Sequence, residues 1–359
     1  MYNYDGINYF KKENIRFMKD KVQNRIDVLG YLRENNLEMK TTPKGRVIQG
    51  SITVAFDALN SIRIDVYSAE KSANTGSENK AFKSLAAILP NYTTSIKSQL
   101  EANPSATFDT VKDVVTKISA HCEFSEYAVR DDNNKETSRV KVQLLNWFDS
   151  IHPADPTKQF EPGAKFTIDV FIESIAPEIK VAGEGEIAEE TGRYIITALT
   201  PDYNKMMHRI TYVTEAGAVS EHIAANWRAQ ENTYLTGIVN NIMKVEQKAG
   251  VSSGFGQAAV GTTTTTFIDE RLVRGGGNIT FDADEEGMEK AGFTREDVKN
   301  GLNLRETRIA ENTAKRLEKN NNSAGTQPQA SKDFGFGAVG TAKANTTPVA
   351  NTGFDPKGF

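Results

Sequence analysis

The sequence predicts a mainly β protein with some α: two OB-like β-barrels, then a late helix and a disordered C-terminal tail. Three observations predict it. Runs of apolar–polar alternation, such as SRVKVQLLNWF from Ser138 to Phe148, mark half-buried strands. Such runs occur twice in the order three strands, a helix, then further strand, which is the order of that five-stranded barrel. Beyond Gly250 the chain turns Gly-, Ser- and Thr-rich and keeps one convincing helical stretch.

Residues 1–22 read as a short amphipathic helix with Ile7, Phe10, Met18 and Val22 on its apolar side. The first barrel is expected over 23–151. NRIDVLGYL (24–32), GRVIQGSITVAF (45–56) and SIRIDVYSA (61–69) alternate, with turn signals at Asn35-Asn36, Pro43 to Gly45, and Asp57 to Asn60. A helix follows over 77–89, with Ser77 as its expected N-cap, and a shorter one near 108–115. KISAHCEFSEYAV (117–129) and the Ser138 run form a hairpin across the polar turn RDDNNKE. HPADPTKQFEPG (152–163), with three prolines, reads as a linker.

The second barrel is expected over 164–250. KFTIDVFIESI (165–175), GRYIITALT (192–200) and HRITYVT (208–214) are its strands, EAGAVSEHIAANW (215–227) its helix, and NTYLTGIVNNIMKVEQ (232–247) its long last strand. Residues 251–292 read as a flexible segment, with RGGGN (274–278) as a hinge. The late helix spans 293–321. Thr294 and Asp297 form a capping box with Asp in place of Glu, and Val298, Leu302, Ile309 and Leu317 a thin stripe. Residues 322–359 hold too few apolar side chains to offset the entropy of ordering them.

Composition excludes several classes. The one cysteine, Cys122, cannot build an intramolecular disulfide framework and reads as a small buried strand residue. No stretch approaches the ~20 apolar residues of a membrane helix, and the first twenty residues lack a signal peptide's apolar core. The four histidines, at 121, 152, 208 and 222, lack metal-ligand spacing. DADEEG (282–287) begins like a calcium loop, but its twelfth position is Phe293 where a bidentate glutamate belongs. No phosphate loop, nucleophile elbow or dinucleotide fingerprint occurs, so no metal, cofactor or enzyme activity is expected.

The net charge of −4 does not point to nucleic acid. Met1 to Lys83 nevertheless carries 14 Lys+Arg against 10 Asp+Glu, whereas Glu161 to Glu190 carries 8 acidic residues against 2 lysines. A local basic face is compatible with this balance. Single strands are held by aromatic rings that stack on bases and cations that follow phosphates. The first barrel offers Arg46, Arg63, Tyr67, Arg139 and Lys141 on strand faces, with Phe124, Tyr127 and Trp147 near strand ends. The second offers Arg193, Tyr194, Tyr203, Arg209 and Tyr212. Each of these has an ordinary structural reading beside it, as a core aromatic or a solubilising cation.

The chain resembles bacteriophage replication-module proteins that bind single-stranded DNA through OB-like barrels. Four stretches carry the resemblance: KFTIDVFIESIAPEI with EETGRYIITALTPDY, EHIAANWRAQENTYLTGIVNNI, RLVRGGGNITFDADEEG leading into REDVKNGLNLRETRIAENTAKRLE, and the Gly-Phe-Gly tail. Together they cover roughly residues 165–337. The resemblance implies sequence-independent binding and protection of single-stranded DNA during replication or recombination, in the cytoplasm of an infected bacterium, without catalysis. It also implies replication or recombination partners docking on the C-terminal tip, here Phe354, Asp355 and Phe359. Lys357 departs from the acidic character such tips have. A phage structural or assembly protein, using barrels for protein contacts, is the alternative.

Overall fold

The computed structural model of the chain describes residues 23–71, 76–92, 94–146, 149–180, 189–202, 204–248, 262–277 and 294–323. The helix expected over 1–22, the acidic turn at 282–287 and the tail beyond 323 lie outside these residues.

The first barrel consists of β1 (Asn24–Asn35), β2 (Glu38–Thr42), β3 (Gly45–Ala55), β4 (Ser61–Ala69), β5 (Lys117–Arg130) and β6 (Glu136–Leu144). Between β4 and β5 lie α1 (Lys80–Ile88), α2 (Ile96–Ala102) and α3 (Phe108–Val111). β1 pairs antiparallel with β3 and with β5, β3 with β4, and β5 with β6, while β4 and β6 run parallel. The circuit β1-β3-β4-β6-β5 therefore closes on itself, which is the OB arrangement. β2, unrecognised in the sequence because its EMKTT has no apolar alternation, only doubles the first half of β3.

After β7 (Ile151–Pro153) the second barrel repeats the circuit with β8 (Gly163–Lys180), β9 (Glu189–Pro201), β10 (Met207–Thr214), β11 (Asn232–Lys248) and β12 (Thr262–Gly276), and with α4 (Ala218–Asn226) before β11. β10 and β12 are its parallel pair, and β11 closes on β8. This corrects two expectations. Residues 262–276 are not flexible but form the fifth strand, so β11 is not the last. Gly275 and Gly276 are strand positions and not a hinge; a Cβ on Gly276 would come within 2.6 Å of the Trp227 ring and of the Tyr234 carbonyl.

Strand parity explains the core. Ile62, Ile64 and Val66 on β4, and Ile118, Ala120, Cys122 and Phe124 on β5, all point inward and are buried. α1 adds Phe82 and Leu85 to this core. Its N-cap is Asn79, not the expected Ser77: the Asn79 side chain accepts from the Ala81 N–H. α2, read in the sequence as a loose stretch, lies with α3 over Tyr31 on the barrel's outside.

The stretch 152–163 does not separate two domains. β7 pairs with β5, and Phe160 packs edge-on to Tyr31 at 5.0 Å. Asn24–Leu29 of β1 pair antiparallel with Gly163–Ile168 of β8, so the first strands of the two barrels join edge to edge. Phe124 from the first barrel meets Phe166 and Tyr212 from the second at 6.0 and 6.3 Å, making one continuous core.

The late helix, α5 (Arg295–Ser323), lies across both barrels. Its N-terminus is the expected box: the Thr294 N–H donates to Asp297 Oδ2 and the Asp297 N–H to Thr294 Oγ1. Val298 and Leu302 pack on Leu199 and Met207 of the second barrel, while Leu317 is exposed and leaves the expected stripe. Gly301 allows the close approach, since a Cβ there would sit 2.6 Å from the Lys205 carbonyl. Arg305, 3% exposed, grips Glu126 of β5 with Nε and Nη2 at 2.8 and 2.7 Å and also binds Glu136 of β6.

Beside this helix contact the barrel junction holds a second polar group. The Glu126 N–H donates to His208 Nδ1, which leaves the ring proton on Nε2, 3.4 Å from Asp202. Burial raises the Glu123 carboxyl to about 7, helped by the charge of Asp202 and opposed by His208. Burial raises Asp169 to about 7 as well, against the hydrogen bond it accepts from the Gln23 N–H. A carboxyl raised on folding favours the folded state while neutral, so its contribution is full below the unfolded pKa, 4.5 for Glu123 and 3.8 for Asp169, and is lost as pH climbs through 7. We expect stability, and Tm with it, to rise between pH 8 and pH 6, by on the order of 1 kcal/mol per group. Glu123→Gln should flatten that slope; an unchanged slope in calorimetry would remove Glu123 as its source.

Candidate nucleic-acid interface

The interface is built from the outward positions of β4, β6 and β5. Since Ile64 and Val66 point in, Arg63, Asp65 and Tyr67 point out. On β6 Leu144 is buried and Val140 and Val142 pack against the core, so Arg139, Lys141 and Gln143 point out. On β5 Phe124 points in and Tyr127 out. Register sets these residues side by side. Tyr127 lies opposite Arg139 and Ser125 opposite Lys141, while Asp65 lies beside Gln143 in the parallel pair.

Lys141 Nζ stands 5.4 Å from the centre of the Tyr127 ring and 3.4 Å from Asp65 Oδ2. Arg63 Nε reaches the other Asp65 oxygen at 3.2 Å. Arg63, Arg139 and Lys141 thus bring three cations to this face around Asp65. Tyr67 is 58% exposed and Tyr127 41%, enough for each to offer a ring face to a planar ligand. Arg46, at the start of β3, pairs with Glu70 at 2.6 Å and lies over Phe82. Its hydrogen bonds hold the Glu70 carboxyl below the usual range.

Several expected residues are elsewhere. Phe124 and Tyr212 are core residues, because their strand parity is that of the buried set; the Tyr212 hydroxyl meets Thr200 Oγ1 at 3.0 Å inside the barrel. Arg193 is locked between Glu178 and Glu270 at 2.8 and 2.9 Å. Arg209 is bound to Glu173 at 2.6 Å, with Glu136 at 3.7 Å. Tyr194 is half-buried, its N–H donating to Thr214 Oγ1. Trp147, Tyr203, Phe354, Asp355 and Phe359 lie outside the described residues. Among the described residues, the expected cations and aromatics therefore come together on the first barrel.

The second barrel instead exposes two aromatics that sequence reasoning passed over, Tyr234 on β11 and Phe267 on β12, the latter 65% exposed. Phe267 was missed because its strand was read as flexible. The β-branched run Thr262 to Thr266 before it was the available signal.

The family model described as YorF matches residues 23–315. No curated protein matches the chain. Among solved structures, a deletion mutant of the single-stranded DNA binding protein from Thermus aquaticus is similar over 74% of this chain and 99% of that one, at 9% identity and a TM-score of 0.39.

Proposed function

The chain belongs to the YorF family, and we propose that it binds single-stranded DNA without regard to sequence, along the outer face of its first barrel. The observation that carries the reading is the adjacency of Tyr127 to Arg139 and Lys141 on neighbouring strands, with Arg63 and Lys141 meeting at Asp65 and Tyr67 outward on the strand that carries Arg63. Rings with an open face stack on any base, and the cations follow the phosphates, so affinity does not depend on base identity. Asp65 spaces the cations without cancelling them. The ion pairs it makes are half-buried at the sheet surface, and a phosphate that reaches Arg63 and Lys141 takes the place of its carboxylate. The role is binding and protection of strands opened during replication or recombination of phage DNA, in the bacterial cytoplasm and without catalysis.

Anisotropy of labelled oligo-dT, titrated across a salt series, tests this. Three phosphate-following cations predict a log–log salt slope of roughly −2. Tyr127→Ala should weaken binding by roughly tenfold or more, since stacking contributes about 1–3 kcal/mol per base. Lys141→Glu should weaken it and flatten the salt slope. A wild-type protein that ignores oligo-dT but assembles into ordered particles would replace this reading with that of a structural protein.

A further inference from the structure

We infer that a cleft of about 360 Å3 on the outer side of the first barrel binds the phosphate monoester of a nucleotide. The inference extends the strand-binding reading, but its site is separate. The cleft lies between β1, β5 and the connection that precedes β8. Asp27 is opposite His121 on one side and opposite Lys165 on the other, so the three form one outward row across three strands. Asp27 Oδ1 takes His121 Nδ1 at 2.6 Å and Arg25 Nε at 2.8 Å, which orients the imidazole and the guanidinium along the cleft. The His152 ring stands 6.3 Å from that of His121. Its Nδ1 lies 2.8 Å from the Pro153 carbonyl. A carbonyl only accepts, so Nδ1 carries the proton and Nε2 is the nitrogen that takes up another.

The charges of the lining balance: Arg25, Lys158 and Lys165 against Asp27, Asp155 and Glu161. The lysine pairs are loose, however. Lys158–Asp155 and Lys165–Glu161 both measure 3.9 Å, with the lysines 80% and 74% exposed. Such pairs contribute almost nothing and yield to a dianion. Phe160 gives the cleft an apolar wall, itself fixed against Tyr31 and with Lys117 Nζ 5.0 Å from its centre. A cleft of this size, with an apolar wall at Phe160 and two exposed lysines in loose pairs at its rim, fits one nucleotide better than a strand.

Its position adds a source for the ligand. His121 and Tyr127 both point outward from β5, six residues or about 20 Å apart. The terminal phosphate of a strand is one source of this monoester. A free nucleotide carries the same monoester.

The chain has four histidines, so their ring signals in a carbon–proton NMR spectrum resolve the question. Thymidine 5′-monophosphate should shift His121 and His152 and leave His208 and His222 in place, while thymidine should shift none of them. Inorganic phosphate should bind more weakly than the nucleotide. Replacing Lys158 and Lys165 together by alanine, both exposed and safe for folding, should raise the Kd about tenfold. Failure of the nucleotide to shift either ring, equal shifts by thymidine, equal affinity for inorganic phosphate, or an unchanged Kd in the double variant would each overturn the inference. If it holds, tighter binding of 5′-phosphorylated than of 5′-hydroxyl oligo-dT identifies the strand end as the source, and equal binding identifies the free nucleotide. The 5′-hydroxyl oligonucleotide reads the aromatic face alone, so either reading can fail without the other.

Discussion

Arg305→Ala is expected to destabilise the protein by about 3–5 kcal/mol, the cost of removing one partner from a buried ion pair. The reason is the state of Glu126. Its side chain is 1% exposed and is gripped at both oxygens by the guanidinium, while Oε2 also accepts from the Arg209 N–H. Without Arg305 that carboxylate keeps one backbone donor and no countercharge. Glu136 loses its main partner at the same time; the hydrogen bond from Arg305 is what holds its carboxyl below the usual range. For a unit of this size the loss corresponds to a Tm drop of roughly 6–20 °C. Arg305→Met combined with Glu126→Gln should recover part of the loss, because the buried charge is then gone from both sides. Calorimetry of the single and double variants decides; a single variant melting within a degree of wild type would mean that the helix contributes little to the junction.

Gly237→Ala should be as damaging, for a steric reason. A Cβ at this position would lie 2.0 Å from the Leu272 carbonyl oxygen and 2.6 Å from Phe166 Cζ. Neither neighbour can yield easily. Leu272 is backbone of β12 beside the irregularity in the β11–β12 register, and Phe166 belongs to the core that the two barrels share. We expect more than about 3 kcal/mol of destabilisation, at the upper end of overpacking, seen as a lower denaturant midpoint and weakened near-ultraviolet dichroism. Gly192→Ala is the control. Its φ of +75° carries a strain of about 1 kcal/mol, but a Cβ there meets nothing within 4 Å. Equal losses in the two variants would mean that backbone conformation and not close approach sets the cost.

Much of this fold was legible because the alternation in β4, β5 and β8 is regular and one-residue parity decides what is buried. The same rule placed Arg63, Tyr67, Arg139 and Lys141 outward. The rule also puts Phe124 with Ile118, Ala120 and Cys122, and Tyr212 with Ile210, in the buried sets of their strands, so reading these two aromatics as surface residues went against it. β12 was illegible for a different reason, since a threonine run beside glycines satisfies both a strand and a flexible reading. The ion pairs that occupy Arg193 and Arg209 join residues 15 to 77 positions apart. No local pattern announces them.

The grip of Arg305 on Glu126 also sets an order of events during synthesis. The two residues are 179 positions apart, so at about 5–20 residues per second the arginine leaves the ribosome roughly 10–35 s after its partner. Throughout that interval the nascent first barrel holds a carboxylate site whose counterion does not yet exist. It must keep that site wet until the helix arrives, so the first barrel reaches its final packing only when the helix docks.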